Sequence, residues 1–193
     1  MGASRTASGQ FVRGLIAVVA VCGVMVSACG SSSSSSKSSV SPTPTPTKAK
    51  TISNVDACKL VTADNASTAT GVTVTNLGAG APGTGACIYA SADGTTTVFV
   101  IAEAYPDASS ANAVSPEQLA AALNGAYGIA NAKTVSGIGD KAVEYTTKSA
   151  ASGTTGAVIF VFKSNVVIVI SISPLTDTKK LEDLARTAVG NLP

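Results

Sequence analysis

Apolar and polar positions change their rhythm repeatedly along this chain, and each change predicts an element. From Leu15 to Ala28 the residues are almost uniformly apolar for 14 positions. That is short of the roughly 20 residues that cross a bilayer. The next stretch, Gly30 to Lys50, has serines followed by alternating proline and threonine and almost no apolar side chains. Such a tract buries too little surface to offset its chain entropy and stays unfolded.

Helical and strand periods begin after residue 50. "NVDACKLVTADNASTATG" predicts two short helical pieces, the first capped by Asn54 or Asp56 and the second by Thr62, with Gly71 closing it. "VTVTNL" alternates as a strand with Val72 and Val74 on one face. "CIYASADGTTTVFVIAEAY" predicts a hairpin that turns at Ala92-Asp93-Gly94. In "SPEQLAAALNGAYG", Ser115 reads as an N-cap, Pro116 as the first helical residue and Gln118 as the partner of a capping box. Leu119, Leu123 and Ala126 then face inward on that helix. A turn at Gly137 to Asp140 leads into a strand, "KAVEYTTK". "GAVIFVFKSNVVIVISISP" predicts a second hairpin turning at Lys163-Ser164-Asn165. Its arms are apolar on both sides of the pleat, as expected of central strands covered on each face. In the final helix, Leu181, Leu184, Ala185, Ala188 and Leu192 form one stripe, with Glu182 and Arg186 paired on the solvated side. The order predicts an α+β domain: a largely antiparallel sheet of about six strands with two or three packed helices.

The boundary between the apolar run and the serine tract carries chemistry. Arg5 and Arg13 precede the run without any acidic residue nearby, which describes an export signal. Its end, Val26-Ser27-Ala28-Cys29, resembles the lipobox of bacterial lipoproteins. The resemblance implies that the Cys29 thiol receives a diacylglyceryl group and that signal peptidase II cuts between Ala28 and Cys29. A thiol suits that transfer because its thiolate is strongly nucleophilic near neutral pH. The alternative is a short membrane anchor that ends by accident in cysteine. On the lipobox reading, residues 1–28 are the signal and residues 29–50 the lipidated end and tether. Residues 51–193 are one folded domain, and the tether spans about 25 Å. The location implied is the outer face of the cytoplasmic membrane, with the chain held there by lipid at Cys29.

Dividing the chain in this way changes its charge. All 11 acidic residues fall in residues 51–193 with only eight of the 13 basic ones, so the domain carries a net −3 although the whole chain is +2. No basic patch supports nucleic-acid binding. Cys22 leaves with the signal and Cys29 is lipidated, so Cys58 and Cys87 remain in an oxidising compartment and are expected to form a disulfide. The rival, a reactive thiol pair, lacks the C-x-x-C spacing.

"VDACKLVTADNASTATGV", the later "CIY" and "VSGIGDKAVEY" resemble small cell-envelope lipoproteins abundant in actinobacteria. The match rests on Asp56, Cys58, Leu60, Gly71, Cys87, Gly137, Gly139, Asp140 and Ala142. The resemblance implies an architecture, PsbP-like, and no particular reaction.

Candidate chemistry is sparse. The chain has no histidine, which excludes Ser-His-Asp and Cys-His sites and histidine-based zinc sites. Gly78-x-Gly80-x-x-Gly83 matches a dinucleotide fingerprint in letters, but a cysteine and a strand follow where a helix is needed. Ser34-x-x-Lys37 falls in the serine tract, where such a match is trivial. Asp140 and Glu144 are the only acid pair offering acid/base work. The simpler expectation puts Asp140 on turn N–H groups and Glu144 on the solvent face. Four tyrosines and no tryptophan make a poor platform for polysaccharide. The doubly apolar strands suit either an ordinary core or an apolar ligand held between sheet and helix. The chain therefore reads as a lipid-anchored, exported, non-catalytic binding or interaction module without a cofactor or metal. Its candidate partners are an envelope protein or an apolar ligand. The alternatives are a carrier of an apolar or lipid ligand and, behind it, a carboxylate-dependent hydrolase.

Overall fold

The computed structural model describes residues 51–79, 85–124, 127–149, 152–175 and 177–193, apart from the side chains of Ala79 and Tyr127. Seven strands form one antiparallel sheet: β1 (Val74–Ala79), β2 (Ala86–Ser91), β3 (Thr97–Ala104), β4 (Tyr127–Thr134), β5 (Lys141–Ser149), β6 (Thr155–Lys163) and β7 (Val166–Ser173). Five helices accompany them: α1 (Ala57–Leu60), α2 (Ala63–Thr70), α3 (Ala108–Asn112), α4 (Pro116–Leu123) and α5 (Thr178–Gly190). The domain is α+β as expected, with one strand more than the six predicted and more helices than the two or three predicted.

Local signals set most element ends. Asp56 caps α1 by accepting from the Cys58 N–H, so it is the cap rather than Asn54. Thr62 and Asn65 form a reciprocal capping box on α2, and Gly71 ends that helix at φ 77°, a left-handed conformation that glycine adopts without a Cβ penalty. Ser115 caps α4 with Pro116 at its start: its hydroxyl accepts from the Gln118 N–H and donates to the Glu117 carboxylate, while the Gln118 side chain makes no return bond to the Ser115 N–H.

The strand order is β1-β2-β3-β7-β6-β5-β4. β7 and β6 therefore lie in the middle, where their doubly apolar arms belong, and nearly every residue of β6 is buried. Their turn falls at Ser164 and Asn165, with Ser164 at φ 53°. Asp140 secures this turn from the neighbouring loop. Its carboxylate accepts from the Ser164 N–H at 2.7 Å and pairs with Lys163 at 2.8 Å. Gly139 makes that approach possible, because a Cβ there would lie 2.5 Å from the Phe162 carbonyl oxygen.

Three expectations need correction. Val72 precedes β1 and is 44% exposed, since Gly71 and the turn after α2 delay the strand until Val74. The helix from Pro116 ends at Leu123, and residues from Tyr127 form β4, an edge strand paired with β5. Ala126 lies outside the described residues, and Leu119 and Leu123 are half-buried, while Ala120 takes the buried position. Glu144 is buried at 4% exposure instead of facing solvent, because α5 packs over the neighbouring β6 and β7 on that side and brings Thr178 and Glu182 to it.

Cys58 of α1 and Cys87 of β2 are joined, tying the first helix to the sheet across a sequence separation of 29. Closing a loop of this size stabilises by about 3.5 kcal/mol in the chain-entropy picture. Beside the bond, the buried Tyr89 hydroxyl donates to the Val61 carbonyl. Asn165, 2% exposed, donates to the Ile52 and Tyr105 carbonyls and accepts from the Ile52 N–H. It fixes the point where the chain enters the domain.

Candidate functional site

Alternation along the central strands sends two sets of side chains to opposite faces. Ile159, Val161, Ile168, Ile170 and Ile172 pack against α1, α2 and α5 in one continuous core with Leu181, Leu184, Ala185 and Ala188. Val158, Phe160 and Phe162 point the other way and form a second, smaller core with Val143, Tyr145 and Ala120. Among the described residues, α3 and α4 are the helices on this second side, and they leave part of the sheet open.

The opening is a cleft of about 580 Å³ between α4 and the sheet. Ile88, Phe99, Ile101, Val158, Phe160 and Val169 make its floor, and Leu119, Leu123 and Ile129 its wall. Its volume falls within the roughly 300–1,000 Å³ usual for sites that enclose small molecules. None of the described residues lining it is charged. Polar character comes only from hydroxyls and backbone, with Thr97, Ser171, Ser173 and Thr147 among the lining.

A shallower hollow of about 300 Å³ adjoins the cleft and shares Ile129 with it. Glu117, Asn124, Asn131 and Tyr145 line it. The Tyr145 ring meets Phe160 edge to face at 5.6 Å. Its hydroxyl is buried and has no hydrogen-bond partner among the described residues. Leaving such a group unpaired costs about 1–3 kcal/mol. Burial raises the Tyr145 pKa, and the negative charge of Glu117 adds to the effect.

The predicted site residues scatter. Asp140 clamps the β6–β7 turn, and hydrogen bonds from Lys163 and Ser164 hold its carboxyl below the usual range. Glu144 faces α5 on the other side of the sheet from the cleft. Burial pushes its carboxyl pKa up against the opposing pull of Lys133, and its Oε2 has no partner among the described residues. The two carboxylates therefore serve different elements and share no substrate position. Glu182 also differs from expectation: it is only partly exposed and pairs with Lys133 of β4 at 2.8 Å as well as with Arg186 at 3.4 Å.

Of the tyrosines, Tyr89 and Tyr145 are buried and Tyr105 is half-buried against Glu103, with burial chiefly pushing its hydroxyl pKa up to about 12. No exposed aromatic platform exists among the described residues. Gly78 lies at a β-bulge in β1, while Gly80 and Gly83 fall outside the described residues, as do Ser34, Lys37, Ala28 and Cys29. Among the described residues no cluster of metal-ligating side chains occurs, and no helix is long and apolar enough to cross a membrane.

The sequence reading missed the hydroxyls of the cleft. Their signal was present at the end of β7, where "ISIS" alternates isoleucine with serine after a run of purely apolar residues.

No protein-family model and no curated protein matches the chain significantly. Among solved structures, the crystal structure of the extracellular domain of PknH from Mycobacterium tuberculosis is similar over part of the chain, at 16% identity and a TM-score of 0.41. The match covers 55% of this chain and spans 62% of the length of that structure.

Proposed function

We propose that this protein is an exported binding module, held to the outer face of a membrane by lipid on Cys29, that takes an apolar ligand into the cleft beneath α4. The observation that carries the reading is a concave apolar cavity, without charged lining among the described residues, on a sheet face that the described helices leave incompletely covered. A void of this kind that opens to solvent is costly unless it is used, because exposed contiguous apolar surface is normally kept small on a monomer. The reading assigns no catalytic role, cofactor or metal to any residue. The Cys58–Cys87 bond supports export, since such bonds persist in oxidising compartments. The residues Val26 to Cys29 support the lipid anchor.

Two measurements test the two halves. Native mass spectrometry of the purified protein after exposure to a total lipid extract should show retained lipid mass, and Leu123→Glu should abolish it. Wild-type protein that emerges with no added mass would end the ligand reading. For the anchor, Cys29→Ser should move the protein from the detergent phase to the aqueous phase on phase partitioning. Unchanged partitioning would contradict the lipobox assignment.

A further inference from the structure

The register of the strands gives the cleft a polarity gradient. Across β3, β7 and β6, Ile101 pairs with Val169 and Val169 with Phe160, an entirely apolar row. One step along, Phe99 pairs with Ser171 and Ser171 with Val158, so the first hydroxyl enters the cleft. At the next step Thr97 pairs with Ser173 and, two strands over, Gly156 with Thr147. A Cβ on Gly156 would lie 3.1 Å from the Ser173 Cβ and 3.0 Å from the Thr147 Oγ1. The glycine, whose Cβ would also lie 2.4 Å from the Ile172 carbonyl oxygen, therefore lets the two hydroxyl residues come close to each other across β6. These side chains share one face because residues two apart on a strand point the same way.

We infer that the ligand bears an uncharged, hydroxyl-rich head on its apolar chain, as a glycosyl diacylglycerol does, and that Thr97, Ser173 and Thr147 receive this head. The inference rests on the apolar-ligand reading above. A serine or threonine hydroxyl both donates and accepts, which matches a ligand hydroxyl in either direction. An anionic head would find no cation among the described residues of the cleft to offset its lost hydration. A cationic head would likewise find no carboxylate among those residues.

The test is a series of lipids that share dioleoyl chains and differ in the head: monoglucosyl diacylglycerol, diacylglycerol and phosphatidic acid. Each is titrated into the purified protein and read by native mass spectrometry. The expected order places the glucosyl lipid about tenfold tighter than phosphatidic acid, the scale of one or two net hydrogen bonds. Equal binding of all three, or tightest binding of phosphatidic acid, would overturn the assignment of the head while leaving the cleft as an apolar site. Binding of none would sink the ligand reading itself.

The variant Thr97→Val with Ser173→Ala should shrink the preference for the glucosyl lipid over diacylglycerol to about twofold or less, with diacylglycerol affinity unchanged. An unchanged preference would overturn the role of this row. Ser173→Ala alone gives the same comparison if the double variant fails to fold.

Discussion

On one side of the sheet, α5 runs for 13 residues and buries Leu181, Leu184, Ala185 and Ala188, with α1 and α2 beside it. On the other side, α4 runs for 8 residues and buries only Pro116 and Ala120. A seven-stranded sheet is about 29 Å wide, whereas α4 is about 12 Å long and α5 about 20 Å. The first side is closed by three helices that share one core. The second has α4 and the five-residue α3, which cannot cover the same width. The same strands thus supply a sealed core on one face and a cleft on the other. Buried apolar packing is concentrated on the sealed face, and the cleft lies on the open one.

That division is broken most directly at α5. Leu181→Ala should cost about 4 kcal/mol, because the residue is fully buried and its surroundings are held by both α5 and the sheet. Chemical denaturation would show this as a large drop in midpoint with lipid binding intact in the fraction that remains folded. Cys58→Ser with Cys87→Ser should cost about 3.5 kcal/mol, seen as a fall in melting temperature that reducing agent reproduces in the wild type. On the open face, Leu123→Ala should cost only about 1 kcal/mol, because the side chain is half-buried. It should nevertheless weaken lipid retention. A loss of stability equal to that of Leu181→Ala would show that the two faces are not different in kind.

The smallest effect concerns Glu144. Its folded-state pKa lies above the ordinary 4.5, through burial. Protonation therefore favours the folded state. The contribution is fully present below 4.5 and is lost as pH rises through the raised folded value. Glu144→Gln should gain about 1 kcal/mol at neutral pH and show a flatter stability profile between acidic and neutral pH. A pH profile identical to the wild type would mean that Lys133 fully compensates the burial.

Comparison of particular elements shows what was legible before folding. The capping groups of α2 and the hairpin turn at Ser164 and Asn165 depend on residues a few positions apart, and they occur where the sequence puts them. β4 was not legible. Its sequence, "YGIANAKT", is rich in glycine, alanine and asparagine, which favour strands weakly. It becomes a strand because β5 offers an edge to pair with, and it accommodates a bulge near Asn131, at φ 56°. Glu144 was misplaced for a related reason. Alternation in "AVEYT" correctly separates it from Val143 and Tyr145, but treats the remaining face as solvent. In this sheet both faces are covered at that point.

The amino-acid order alone determined the caps of α2 and α4, the turn at Ser164 and Asn165, and the central position of the two most apolar strands. Those features follow from local composition, caps and counts. Only the tertiary structure decided which face was sealed, which carboxylate was buried and where hydroxyls from β3, β5 and β7 came into line. These depend on helix length against sheet width and on strand register, quantities set by contacts between residues far apart in the chain.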